Sequence, residues 1–84
     1  MYKRRDSLCK LFDISFRLVD IILKEMETCK RYPKNVVMRD KGYVLVHVDA
    51  FKDYLQYRAV IKEAGIEKLP PFKVNDLIYL QAVE

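Results

Sequence analysis

The chain has 84 residues, 51% of them apolar and 33% charged, with only two glycines and three prolines; that profile excludes a disordered segment and leaves room for one small core. No apolar run approaches the roughly 18 residues of a membrane span, and Lys3-Arg4-Arg5 leads at once into Asp6 instead of the apolar stretch of a secretory signal. The net charge of +4 is uneven: residues 1–47 hold eleven basic against six acidic side chains, and residues 48–84 hold five against six, an asymmetry that suits a polyanion-binding face.

Taken in order, Leu8, Leu11 and Phe12 recur at helical spacing and predict a short first helix of about two turns, capped by Asp6 or Ser7. Phe12-Asp13-Ile14-Ser15 predicts a turn, with Ser15 as the N-cap of a second helix that begins near Phe16. Leu18, Val19, Ile22, Leu23 and Met26 give that helix one continuous apolar face, and it is expected to run through Lys30 and Arg31 until Pro33 ends it. Val36–Arg39 and Tyr43–Val48 are rich in β-branched residues and predict a hairpin with a three-residue Asp40-Lys41-Gly42 loop, Gly42 taking a left-handed conformation. Asp49 is the expected cap of a third helix, Asp53 complements its dipole, and Gly65 stops it. Residues 1–65 therefore form the domain, and residues 66–84 follow as a Leu69-Pro70-Pro71-Phe72 linker and a short apolar helix, Leu77-Ile78-Tyr79-Leu80, capped by Asn75 or Asp76 and packing on the domain or on a partner.

The residues that catalysis needs are missing. There is no Ser-His-Asp set and no glycine-rich phosphate cradle. Cys9 and Cys29 stand apart, and with His47 as the single histidine they cannot complete a four-ligand zinc site. They read as small buried or half-buried thiols in a reducing compartment, which makes the cytoplasm the expected location. His47, ending a strand beside the third helix, reads as a hydrogen-bonded structural residue. The expectation is a protein that is not an enzyme, with no cofactor, metal, membrane or small-molecule ligand.

Two helices joined by a three- or four-residue turn are the helix-turn-helix unit, and a hairpin directly after it is the wing of a winged helix. The fold class expected is thus α+β, mostly α: short helix, turn, long helix, two-stranded wing, helix, with a C-terminal extension. A helix fits the DNA major groove, while a cationic hairpin straddles the neighbouring backbone.

From Arg5 to Leu55 the sequence also resembles the excisionase-type, MerR-like winged-helix proteins of phages and mobile elements. The likeness rests on Ser7-Leu8-Cys9-Lys10-Leu11-Phe12, the turn Asp13-Ile14-Ser15, a recognition helix Phe16-Arg17-Leu18-Val19-Asp20-Ile21-Ile22-Leu23, a wing over residues 37–46, and the helix start Asp49-Ala50-Phe51 running to Leu55. The resemblance implies a protein that binds duplex DNA, bends it or assembles along it, and either directs site-specific recombination or regulates transcription.

On that reading Arg17, Phe16, Asp20 and Lys24 lie on the DNA-facing side of the second helix, and Arg39 and Lys41 lie on the wing. Lys3, Arg4 and Arg5 form an N-terminal arm along the phosphates. Where such proteins usually carry basic or polar groups, this chain has Phe16, Asp20 and Ile21, so Phe16 and Ile21 either cover thymine methyls or, together with the tail, hold a protein. A domain this small is expected to work as a homo-dimer or a cooperative array on DNA, through Tyr54, Tyr57, Ile61, Leu77, Ile78 and Leu80.

Overall fold

The N-terminal residues do not trail from the domain as an arm. In the computed structural model, which describes residues 1–73, Tyr2–Arg4 is a strand (β1). It is followed by α1 (Arg5–Phe12), α2 (Phe16–Thr28), a single 3₁₀ turn over Lys34–Val36, β2 (Val37–Asp40), β3 (Tyr43–His47) and α3 (Val48–Ala64). The described residues form a small α+β fold, mostly helical, with three helices and one antiparallel sheet of order β1-β3-β2. β3 is the central strand: Tyr2, Lys3 and Arg4 pair with His47, Val46 and Leu45, and Val37 to Asp40 pair with Val46 to Tyr43. The Tyr2 hydroxyl donates to the Asn35 carbonyl at 2.6 Å, which ties β1 to the far side of the sheet.

The first helix starts earlier than Asp6 or Ser7. Strand pairing ends at Arg4 and the chain turns into the helix at Arg5 without a side-chain cap, leaving Asp6 to complement the positive helix end from within the first turn. Asp13 adopts φ 55°, ψ 51°, and its N–H bonds the Cys9 carbonyl, so the helix closes in a left-handed cap carried by a residue type that tolerates it. Ser15 then caps α2 as expected, its Oγ accepting the Leu18 N–H at 3.1 Å.

α2 stops at Thr28, short of Lys30 and Arg31. Thr28 Oγ1 donates back to the carbonyls of Lys24 and Glu25, and Cys29 turns extended. The residues up to Pro33 leave the helix because Tyr32 is drawn into the core and Arg31 is clamped on Asp53. The hairpin is also tighter than expected. Asp40 pairs with Tyr43, which leaves a two-residue turn of Lys41 and Gly42. Gly42 does take a positive φ of 84°; a Cβ there would meet nothing within 4 Å, so the requirement is conformational and not one of space.

The cap of α3 is His47, not Asp49. The Met1 carbonyl accepts the Val48 N–H at 2.9 Å, so the strand hands over to the helix at Val48, and His47 Nδ1 accepts the Ala50 N–H at 3.2 Å. His47 is fully buried, and the structural role expected of it takes this form. Gly65 ends the helix at φ 82°, with its N–H on the Ile61 carbonyl.

The core lies where α1, α2 and α3 meet one face of the sheet: Leu8, Val19, Ile22, Leu23, Met26, Val46, Ala50, Phe51 and Tyr54 are essentially closed to solvent. Residues 66–73 return to this body, with the Phe72 ring 5.1 Å from Tyr32 and the Pro70 carbonyl accepting from Arg31. The expected short helix at Leu77–Leu80, Tyr79 included, lies outside the described residues. Among the described residues no helix is long and apolar enough to cross a membrane.

Candidate nucleic-acid interface

α2 turns Val19, Ile22, Leu23 and Met26 inward, and the same 3.6-residue period carries Arg17, Ile21, Lys24 and Thr28 outward. Neither Arg17 nor Lys24 has a carboxylate partner among the described residues. The two acids on this outward side are both answered. Arg5 donates to Asp20 at 3.0 Å, and Arg39 of β2 grips Glu27 through two bonds of 2.9 and 3.0 Å. Glu27 holds the Arg39 guanidinium above its ordinary pKa, against a smaller opposing effect of burial. Arg5 and Arg39, expected as phosphate contacts, are thus engaged within the chain. Both pairs are partly open to water and worth little to stability, on the order of 0–1 kcal/mol each, so a phosphate can compete for the same guanidinium.

The hairpin tip stands beside this ridge. Lys41 is exposed, its N–H donating to Asp40 Oδ1 at 2.7 Å, while the Tyr43 hydroxyl donates to the other carboxylate oxygen at 3.2 Å. That bond raises the Tyr43 phenol above its usual pKa. Lys3 and Arg4 are exposed but fixed in β1 next to β3, which corrects the expectation of a free arm. The Arg4 guanidinium lies over the Tyr43 ring at 5.9 Å and that of Arg5 over the Phe16 ring at 4.9 Å. Arg4, Arg5, Asp6, Phe16, Gly42, Tyr43 and Val44 together line a surface groove of about 250 Å³ between the start of α2 and the hairpin. The structure therefore gathers Arg4, Arg5 and Phe16 at one groove and adds Tyr43. An aromatic residue directly after the turn glycine was the one sequence signal for it.

The expected oligomer surface fares differently. Tyr54 is 2% exposed and its hydroxyl donates to Glu25 at 2.9 Å, so it is a core residue and not an interface residue. The broad apolar face of the third helix suggests a contact surface, but Tyr54 lies on the part of it that the core covers, with its polar tip satisfied by Glu25. Burial, and after it Glu25, pushes the Tyr54 phenol up to about 12. Tyr57 is half-buried with the Arg31 guanidinium 5.4 Å from its ring, and Ile61 packs half-buried on the core. Leu77, Ile78 and Leu80 lie outside the described residues.

Arg31 is fully committed, with bonds of 2.9 and 3.2 Å to Asp53, whose Oδ2 also accepts from the Tyr32 hydroxyl at 2.7 Å. Asp53 was expected to serve the helix dipole and instead anchors the segment after α2. On the other flank of α3, Glu25 takes Arg58 at 2.8 and 3.0 Å and Lys62 at 3.0 Å. Beside this cluster Leu18, Ile22, Leu55, Arg58, Ala59, Lys62 and Glu63 line a groove of about 480 Å³.

Among the described residues no group of three His, Cys, Asp or Glu side chains is placed to hold a metal. What the surface offers is an outward helix with its acids paired, a cationic hairpin beside it, and an aromatic groove where the two meet. No protein-family model, curated protein or solved structure matches the chain.

Proposed function

We propose that the chain is a small winged helix-turn-helix DNA-binding protein of a phage or mobile element, acting in the cytoplasm as an excisionase-like architectural factor or a transcriptional regulator. α1, the three-residue turn and α2 form the helix-turn-helix, and β2–β3 form the wing. α2 enters the major groove of duplex DNA with Arg17 and Lys24, while Lys41 and Lys3 rest on phosphate. The protein binds and does not catalyse, and a dimer or a cooperative array supplies the site length that one short helix lacks.

One observation carries this reading. On the outward side of α2 both acids are neutralised by arginines from β2 and from the start of α1, whereas Arg17 and Lys24 stay unpaired. A helix with two free carboxylates would repel the DNA backbone. With those charges cancelled, what projects is cationic.

A salt series tests it. Fluorescence anisotropy on duplex DNA is expected to show affinity falling steeply as salt rises, because bound phosphates release counterions. Arg17→Ala and Lys24→Ala are each expected to flatten the log–log slope by about 1.

A second reading rests on the exposure of Phe16 and Ile21, at 48% and 41%. On this reading α2 holds a protein partner through these two side chains. Absence of duplex binding even at low ionic strength is the outcome that favours it.

A further inference from the structure

The groove between the first turn of α2 and the hairpin has a lining that the reading of a plain duplex leaves unused. Phe16 and Tyr43 keep 48% and 37% of their surface open, and neither belongs to the core. Each ring has an arginine laid over it, Arg5 on Phe16 and Arg4 on Tyr43. Arg5 also bonds Asp20, and the Tyr43 hydroxyl bonds Asp40, so both side chains have a preferred orientation at the groove. Arg4 has no carboxylate partner among the described residues and remains available to an anion. The groove, about 250 Å³, lies below the ~300–1,000 Å³ of pockets that enclose drug-sized ligands and suits a single planar group.

Inside a duplex the faces of the bases are covered by their neighbours, so aromatic rings in a narrow groove find nothing to stack on. An unpaired nucleotide offers that face together with a phosphate, and aromatic side chains beside arginines are the usual means of holding one. We propose that this groove binds one unpaired nucleotide where duplex DNA passes into single strand, the base lying against Phe16 and Tyr43 and its phosphate meeting Arg4. The proposal rests on the DNA-binding reading and adds to it: the protein prefers a junction or an opened end over a closed duplex.

The test uses the full chain and three probes at one salt concentration: a blunt duplex, the same duplex with a five-thymidine extension placed on either strand, and the duplex with an abasic extension of equal length. The thymidine extension is expected to tighten binding about fivefold or more over both other probes. Phe16→Ala and Tyr43→Ala each remove most of that gain, Phe16→Trp keeps it, and Arg17→Ala weakens all three probes while leaving their ratio unchanged. Equal affinity for the thymidine and abasic extensions overturns the proposal, as does a gain that survives both alanine substitutions. If the blunt duplex binds without any such gain, only this inference falls; if no probe binds at low salt, the DNA-binding reading falls with it.

Discussion

Folding strongly alters the chemistry of Glu25. The hydrogen bond from Arg58, helped by Lys62 and Tyr54 and opposed by burial, holds its carboxyl at about 2. A carboxylate depressed in the folded state stabilises the fold above its ordinary pKa, near 4.5, and loses that contribution as pH falls toward 2. Glu25→Gln is therefore expected to cost about 1–2 kcal/mol at pH 7, allowing for the water that reaches this partly exposed cluster. The deficit should shrink between pH 4.5 and 2, as measured by urea unfolding of the two proteins across that range. Equal stability at pH 7, or a deficit that widens in acid, contradicts the assignment. In sequence Glu25 was one charge among several on a helix flank, because its three partners come from 29 to 37 positions away.

Among the elements, α2 and the hairpin are coupled through Arg39 and Glu27, and that pair sets how much positive charge the joint surface shows. Glu27→Gln releases the Arg39 guanidinium without removing it. Duplex affinity is expected to rise a few-fold at low salt and the log–log salt slope to steepen by up to about 1; unchanged affinity would mean that Arg39 does not face the DNA. The elements themselves were largely legible, since each α2 residue that is buried had been placed on the apolar face by its spacing, and Ser15, Asp13, Gly42 and Gly65 all do what their types predict. The junctions were less legible. Ser7, Asp6 and Asp49 are good caps in isolation, but β1 pairs with β3 across more than forty residues and shifts both helix starts toward the strands. Local propensity contains no record of that pairing, and Tyr2–Arg4 is too short to announce itself as a strand.

At the scale of the whole molecule, the charge asymmetry read from the sequence is partly internal. Arg5, Arg31 and Arg39, all in the basic half, are bound to Asp20, Asp53 and Glu27. Exposed Lys3, Arg4, Lys10, Arg17, Lys24, Lys34 and Lys41 make up most of what remains in that half. Pairing is a tertiary fact, so a count along the chain overstated the number of cations free to meet a polyanion and could not say which ones they were. The candidate site was legible to the same extent: Arg17, Lys24 and Lys41 stay outward and unpaired, Tyr54 moves into the core, and the aromatic groove emerges only when β1 brings Arg4 beside Tyr43.

Binding of duplex DNA through the outward side of α2 and the hairpin, as proposed, is tested by titrating the isotopically labelled protein with a short duplex while the backbone amide resonances are followed by NMR. Shifts are expected to saturate and cluster at Arg17, Ile21, Lys24, Lys41 and Tyr43, with little change around Glu25, Arg58 and Lys62. Shifts confined to the groove between α2 and α3, or none at low ionic strength, would contradict it.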